Sequence, residues 1–282
     1  MRTILPAPSH LSHSQVSALL PSRRYSCGLR WSLTRRLGYA EAPSSGMALG
    51  SALDSGLNAM LRPVVEGGRA DLLAGIAAMM ASLENSAPNF PADPGWARTE
   101  GTWLELALKA FYPTAPTALE TVQLELSFRT GATEVRGWVD RVDRDAEGPV
   151  VVDHKLTATR PWDSAGEWDA DWVAERIPQL ALYAGGLAIL EPDRGPWTRG
   201  RLVVCYGSRR LKTPQWNTID LALTPEAIAA ALDDVQTAQA IADSGVYPAT
   251  PGQHCGWCSV TAPCATVLAM TAPSIVDVAA AL

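Results

Sequence analysis

Two aspartates and a lysine, Asp140, Asp153 and Lys155, lie in a segment whose composition predicts two short strands joined by a polar turn. Side chains two apart on a strand point to the same face, so Asp153 and Lys155 should project together while His154 points away. Pairing of the two strands would bring Asp140 beside them. Two carboxylates and an ammonium at a strand edge form a hard-oxygen site for Mg²⁺ or Mn²⁺ with a cation next to it. Such a site is suited to the hydrolysis of phosphodiester bonds.

The same residues also have a purely structural interpretation. Asp140 and Asp143 could be acids that flank a turn, and Lys155 could pair with Asp153 on a solvated face, since Asp-x-Lys is a common tripeptide. Here, however, the tripeptide follows the β-branched run at 150–152 and is preceded by a strand that contains Gly-x-x-Asp. This context favours the chemical interpretation.

A polar pair on the next predicted helix adds to the pattern. Gln179 and Tyr183 are four residues apart, so they share one face of a helix. The whole arrangement resembles the PD-(D/E)xK nuclease superfamily, and within it the RecB-like exonucleases. The match covers these residues in the family's order: Asp140, Asp153, Lys155, Gln179 and Tyr183.

The resemblance implies a fold and a role for each matched residue. The fold belongs to the α/β class, with a restriction-endonuclease-like core in which helices flank a mixed central β-sheet. In that family the aspartates that correspond to Asp140 and Asp153 bind the catalytic metal, and the lysine that corresponds to Lys155 serves the hydrolysis. The helix that carries Gln179 and Tyr183 borders the site.

One upstream position departs from the family pattern. RecB-like nucleases usually have a histidine that ligates the metal at the end of a Gly-x-x-x-His helix start, whereas the matching run here begins at Gly50 and ends at Asp54. Asp54 could supply an oxygen ligand instead, which suits Mg²⁺ better than imidazole does. Alternatively, the site has lost a ligand and activity is reduced or absent, or the alignment slips here. Glu125 on a predicted strand is a further candidate acid.

The cysteines indicate a second metal site. Cys255, Cys258 and Cys264 form a C-x₂-C-x₅-C run, and Cys27 lies far upstream. Three thiols leave one unpaired, and the odd total argues against a secreted disulfide framework. Thiolates select zinc or iron–sulfur clusters. Zinc held by the three cysteines together with His254 or Cys27 is one interpretation.

The family resemblance implies a different occupant. A subset of RecB-like nucleases, which includes CRISPR-adaptation exonucleases and AddB-type subunits, has one cysteine before the nuclease core and a C-x₂-C-x₅-C run after it. In those proteins the four cysteines hold a [4Fe–4S] cluster that joins the N- and C-terminal segments. Cys205 falls outside the pattern and ends an apolar strand, where a buried thiol is expected. The resemblance assigns the cluster to Cys27, Cys255, Cys258 and Cys264.

Charge is distributed unevenly along the chain. The net charge is −6, yet residues 1–40 carry six arginines and no acidic residue. A basic segment beside an acidic, metal-binding body is typical of a protein that grips phosphates locally, although any one of these arginines could equally lie on a solvated helix face. The DNA-binding candidates are Arg23, Arg24, Arg30, Arg35 and Arg36.

Length and patterning complete the predicted organisation. We expect one nuclease domain at 12–264, between a disordered tail at 1–11 and a C-terminal tail at 265–282. Residue patterns predict strands at about 119–128, 134–142 and 150–155 and one helix at about 172–189. No run of about 18 apolar residues and no signal pattern occurs, which predicts a cytoplasmic protein of a bacterial or phage-infected cell without membrane contact.

Taken together, these features predict a metal-dependent DNA exonuclease acting on single-stranded ends, in recombination, repair, phage replication or CRISPR-like processing. DNA would be its main partner, with a helicase, recombinase or CRISPR-type protein as a further one. Two other classes stay open at this point. The chain could be a catalytically degenerate DNA-binding protein stabilised by a cluster, or a zinc-binding adaptor for protein interactions.

Overall fold

A computed structural model of the chain describes residues 8–41, 43–116, 119–211 and 213–265. These residues form two compact units. One contains residues 8–41, 127–137 and 228–265, and the other contains the described residues of 43–126 and 138–227. The predicted single domain at 12–264 stays a prediction. The C-terminal tail beyond residue 265 lies outside the described residues.

The strands and helices have the following bounds. The strands are β1 (His10–Leu11), β2 (Thr121–Thr130), β3 (Thr133–Asp145), β4 (Gly148–Thr157), β5 (Arg199–Tyr206) and β6 (Gln215–Ala222). The helices are α1 (His13–Leu19), α2 (Gly28–Arg35), α3 (Ser45–Val65), α4 (Leu72–Ser86), α5 (Trp96–Phe111), α6 (Ala170–Ala174), α7 (Ile177–Leu190) and α8 (Pro225–Ser244).

Two predictions about secondary structure were wrong. The single helix expected at about 172–189 is divided, because α6 ends at Ala174 and α7 begins at Ile177. Pro178 lies in the first turn of α7, where its missing N–H costs no helical hydrogen bond, whereas inside a continuous helix it would remove one. At the N-terminus, His10 and Leu11 form a short strand that pairs in parallel with β3, so the tail does not extend to residue 11.

The larger unit is built on a mixed sheet. The end of β3 pairs antiparallel with β4, β4 pairs in parallel with β5, and β5 pairs antiparallel with β6. Strand β4 is central, and its residues from Pro149 to His154 are all buried. A strand buried on both faces needs a nearly continuous apolar run, which Val150–Val152 provides.

Helices cover both faces of this sheet. On one face, Val150 and Val152 pack in one apolar cluster with residues of α3, α4 and α5. On the other face lies α7: a Cβ placed on Gly200 of β5 would be 3.1 Å from Leu180 Cδ1. Gly200 pairs with Val151, so α7 lies on the face of the sheet to which Val151 projects. Asp153, two residues further along β4, projects to the same face. The expected helix-flanked mixed sheet is therefore confirmed.

The smaller unit surrounds α2. Cys27 is the N-cap of this helix, and its Sγ accepts a hydrogen bond from the backbone N–H of Arg30 at 3.4 Å. The apolar face of α2 is buried in a small cluster with Val260, against which Cys258 and Cys264 pack. The N-terminal cysteine and the C-terminal cysteine run are thus in the same unit.

Helices α3 and α4 of the larger unit approach closely because glycines face each other where they meet. A Cβ placed on Gly75 would lie 2.8 Å from Met60 Cβ and 2.9 Å from the backbone oxygen of Gly56. Such distances are too short for a methyl group. The helices would have to separate to admit one.

We therefore expect Gly75→Ala to lower the free energy of unfolding by about 1–3 kcal/mol, measured by urea denaturation, because overpacking outweighs the gain in helix propensity. Gly50→Ala on α3 is the matched control. No atom lies within 4 Å of a Cβ at Gly50, so this variant should keep or slightly raise stability. A Gly75→Ala protein as stable as the parent would contradict the close approach.

Candidate active site

Strand β4 positions two of the predicted residues. Asp153 and Lys155 project from the same face of the strand, and Lys155 Nζ donates a hydrogen bond to Asp153 Oδ1 at 2.8 Å. Asp153 is buried with only 2% of its surface exposed, so its carboxylate is compensated mainly by this ammonium. The pair is fixed because this part of β4 is paired with β5, Asp153 with Leu202 and Lys155 with Val204.

Asp140 is held by the backbone of β4. The ladder between β3 and β4 runs from Asp145 to Arg141, which pairs with Val152, and Asp140 lies one residue beyond it. There its Oδ2 accepts a hydrogen bond from the backbone N–H of His154 at 2.7 Å. The carboxylate thus takes the place of the next strand partner, which brings Asp140 to β4 as the sequence pattern predicts.

Helix α3 brings a third carboxylate. Asp54 Oδ1 lies 3.9 Å from His154 Nδ1, and Asp140 Oδ2 lies 4.0 Å from the same nitrogen. One ligand atom from each of Asp54, Asp140 and His154 lies within 4.8 Å of the others, an arrangement that could hold a metal ion. The structure therefore places Asp54 at the site, where the family pattern has a histidine.

Burial and neighbouring charges shift the pKa values of Asp54, Asp140 and Lys155. Burial, and then the charge of Asp153, raise the pKa of Asp140 to about 7. Burial and the neighbouring Asp140 raise the pKa of Asp54 well above its usual value. Burial alone would lower the pKa of Lys155, but the charges of Asp153 and Asp140 outweigh it and raise that pKa. Three acids around one cation leave an excess of negative charge, which a divalent cation would compensate.

The polar pair on α7 completes the site. Lys155 Nζ donates a second hydrogen bond, to Gln179 Oε1 at 3.1 Å, and Gln179 Nε2 lies 3.5 Å from the hydroxyl oxygen of Tyr183. Burial raises the pKa of Tyr183 to about 12, so its hydroxyl stays protonated. The ammonium is therefore fixed between a carboxylate and an amide, and its direction is set by both.

Two positions differ from the sequence interpretation. His154 projects from β4 on the face opposite to Asp153, as alternation predicts, yet its ring reaches Asp54 and Asp140. Alternation along β4 was the sequence signal for this position, because it directs His154 to the face of the sheet that α3 covers. Glu125 is exposed on β2 and does not belong to the acidic group.

A buried ion pair lies behind His154, and it was missed. Arg141 Nε is 2.7 Å from Asp143 Oδ1, and Arg141 Nη2 donates to Asp143 Oδ2 at 2.9 Å. Arg141 Nη1 also lies 3.4 Å from His154 Nε2. Sequence reasoning treated Asp143 as a turn-flanking acid, because nothing local shows that the two side chains turn inward.

The four patterned cysteines lie in the smaller unit. Cys27 is buried, Cys258 and Cys264 are half-buried and Cys255 is exposed. Burial raises the pKa of the Cys264 thiol, and the neighbouring Cys27, Cys258 and Cys255 raise it further. Cys205 is separate: it is buried in β5 and its pKa is raised to about 12 by burial, as expected of an inert thiol.

The predicted DNA-binding arginines differ in their contacts. Arg23 is ion-paired with Asp234, and Arg30 with Glu41. Arg36 Nη1 donates to the hydroxyl oxygen of Tyr247 at 2.7 Å. The guanidinium of Arg24 lies 4.8 Å from the ring centroid of Tyr25. Arg35 lies in the last turn of α2. Because two of the five already have carboxylate partners, their role in DNA binding stays a prediction.

The raised pKa of Asp140 makes the stability of the metal-free protein depend on pH. An aspartate in an unfolded chain has a pKa of about 3.9, whereas that of folded Asp140 is about 7. Between these values the folded state binds the extra proton, so stability falls as the pH rises through this window.

We expect the gain in stability from Asp140→Asn, measured in chelator, to be about 2–3 kcal/mol larger at pH 8 than at pH 5. Thermal unfolding at both pH values measures this. Asp145→Asn is the control, because the pKa of Asp145 is lowered to about 2 by its pair with Arg199 and does not titrate in this range. An equal gain from Asp140→Asn at both pH values would contradict the assignment.

Comparisons with solved structures support the fold. A structure of a provisionally named exonuclease from Eubacterium rectale is 11% identical, covers 86% of this chain and 84% of its own, and superimposes with a TM-score of 0.52. The structure of SSO0001 is 14% identical over 58% of this chain and 77% of its own, and its TM-score of 0.33 is too low to carry an argument.

Comparison at the level of sequence is more decisive. No curated protein matches the chain. Residues 10–265, however, match the family model of the PD-(D/E)XK nuclease superfamily, and this range contains every carboxylate of the site described above. By this match over most of its length, the chain belongs to the PD-(D/E)XK nuclease superfamily.

Proposed function

We propose that this nuclease is a metal-dependent exonuclease that hydrolyses single-stranded DNA from its ends, in recombination, repair or a related process. The observation that carries the proposal is that Asp54 and Asp140 lie together beside His154 of β4, next to the bonded pair of Asp153 and Lys155. Family membership supports the nuclease chemistry. The single-strand and end preferences rest on the resemblance to RecB-like exonucleases, and the name given to the E. rectale protein agrees with the end preference.

The residues fit a hard divalent cation. The three carboxylates would hold Mg²⁺ or Mn²⁺, since oxygen ligands suit these ions. Burial and the charge of Asp153 raise the pKa of Asp140, and a bound cation would offset both effects. A bound divalent ion would lower the pKa of a coordinated water and offset charge on the scissile phosphate. Asp140 at the end of β3 and Asp153 on β4 would each offer a carboxylate oxygen.

Lys155 would donate a hydrogen bond during the reaction, and its partners on α7 would orient it. Its ammonium carries three donors, of which Asp153 and Gln179 use two in this arrangement. The third would donate to the attacking water or to a non-bridging phosphate oxygen, where negative charge develops. Gln179 would fix the direction of that donor, and Tyr183, protonated at any physiological pH, would orient Gln179.

We propose further that Cys27, Cys255, Cys258 and Cys264 hold a structural [4Fe–4S] cluster. Supporting this, Cys258 and Cys264 pack against the same small cluster as Cys27, and burial and then the neighbouring thiols raise the pKa of Cys264. A metal that compensates these thiolates would remove that penalty and join α2 to the C-terminal segment. Zinc is the alternative occupant, and metal analysis distinguishes the two.

We expect Lys155→Ala to reduce DNA cleavage by about 100-fold or more while folding and DNA binding persist, because its ammonium acts on charge that develops in the reaction. Cleavage of end-labelled single-stranded and duplex oligonucleotides in Mg²⁺, Mn²⁺ or chelator measures this. Lys109→Ala is the matched control, since Lys109 is an exposed lysine paired with Glu105 on α5.

The same assay separates the finer claims. An exonuclease specific for single strands should release labelled nucleotides from one end of a linear strand and leave circular single-stranded DNA intact. Cleavage of the circle would refute the end dependence alone. Activity of Lys155→Ala within a few-fold of the parent would refute the assigned active site.

For the cysteines, protein purified without oxygen should contain iron and sulfide in amounts near one cluster per chain. Cys258→Ala should lose the iron and lower the melting temperature, because one ligand of the cluster is removed. Cys205→Ser is the control and should keep the iron, since Cys205 lies in β5, away from the other cysteines in sequence and in a different unit. Zinc instead of iron would refute the cluster.

A further inference from the structure

His154 occupies an unusual place beside the three carboxylates. Only 1% of its side chain is exposed. One ring nitrogen, Nδ1, faces the carboxylates at 3.9 Å from Asp54 Oδ1 and 4.0 Å from Asp140 Oδ2. The other, Nε2, faces Arg141 Nη1 at 3.4 Å. The imidazole thus lies between an arginine and the acidic site.

The arginine determines which ring nitrogen carries the proton. A guanidinium can only donate hydrogen bonds, so Nε2 of His154 must accept from Arg141. A neutral imidazole has one acceptor nitrogen and one N–H, which places the proton on Nδ1. A proton on Nε2 would instead point the N–H of His154 at an N–H of Arg141, whose guanidinium is permanently charged.

The tautomer is held from behind by a buried ion pair. Arg141 cannot turn away easily, because its Nη2 donates to Asp143 Oδ2 at 2.9 Å and its Nε lies 2.7 Å from Asp143 Oδ1. Asp143 Oδ2 also lies 3.4 Å from Nη1 of Arg201, a second guanidinium. The orientation of the ring of His154 therefore follows from packing outside the acidic site.

The proton on Nδ1 has no hydrogen-bond partner among the described residues. Buried donors without an acceptor are uncommon in folded proteins and costly. The charged oxygens that face this one belong to Asp54 and Asp140. A displacement of about 1 Å, or one bridging water, would complete a hydrogen bond to either carboxylate.

We propose that His154 is a positioning residue, which donates from Nδ1 to the carboxylates of Asp54 and Asp140 and does not ligate the metal itself. The proposal rests on the proposed function, in which those carboxylates hold a divalent cation. A donor of this kind fixes each carboxylate and leaves its remaining lone pairs for the ion. Ligation through Nδ1 would require the opposite tautomer, with an N–H pointed at Arg141.

Nitrogen NMR of the full-length protein labelled with ¹⁵N-histidine tests the tautomer directly. We expect a protonated Nδ1 and an unprotonated Nε2 for His154, assigned by comparison with His154→Asn, both without metal and with Mg²⁺. A bare Nδ1 would overturn the proposal. In Mn²⁺-loaded protein, pulsed EPR should detect no directly bonded nitrogen, and strong ¹⁴N coupling that disappears in His154→Asn would overturn it too.

Two variants test the consequence for metal binding. An asparagine amide N–H can occupy the position of Nδ1, whereas leucine fills the space without a donor. By calorimetry we expect His154→Leu to bind Mn²⁺ about 10–100-fold more weakly than the parent and His154→Asn to recover most of that loss. Equal affinity of His154→Leu and the parent, or equal weakness of both variants, would overturn the proposal.

These readouts separate the proposal from the proposed function. If the protein cleaves no DNA, the tautomer and the Mn²⁺ affinities still decide the role of His154. If His154→Leu fails to fold, the NMR and EPR measurements on the parent protein and on His154→Asn retain the test. Conversely, a wrong tautomer in an active nuclease refutes only the role of His154.

Discussion

The confinement of like charge is the constraint on which the larger unit depends. Asp54, Asp140 and Asp153 lie near one another at the end of β4, and burial together with this like charge raises the pKa values of Asp54 and Asp140. Left alone, such a group would separate or take up protons. The sheet prevents separation, because β4 is paired on both sides and buried on both faces. Repulsion among these carboxylates lowers the stability of the metal-free protein, and a bound cation would reduce that repulsion.

The two faces of one strand supply two different parts of the site. Asp153 and Lys155 project towards α7, where Gln179 fixes the ammonium. His154 projects towards α3 and approaches Asp54. Asp140 reaches the strand where the ladder ends, so its carboxylate bonds to the backbone of β4 itself. Alternation along a single strand therefore places the side chains of Lys155 and His154 on opposite faces of β4.

Local rules in the sequence predicted much of this site, and their limits are physical. The period of two along β4 placed Asp153 and Lys155 together, and the period of four along α7 placed Gln179 beside Tyr183. Those rules could not show the tertiary contacts between elements that are distant in the sequence. The inward turn of Arg141 depends on the packing of other elements, and the helix break before α7 reflects the local chemistry of a proline that periodicity alone does not weigh.

The two metal sites proposed for this chain differ in the chemistry of their donors. One offers carboxylate oxygens in the larger unit, and the other offers thiols beside α2 in the smaller unit. Hard ions such as Mg²⁺ prefer the first, and iron or zinc prefers the second, so ligand softness alone sorts the metals. Burial and neighbouring acidic groups raise the pKa values of Asp54 and Asp140 in the first site and of Cys264 in the second. Protons therefore compete with the metal for these groups, so the occupancy of both proposed sites should increase with pH.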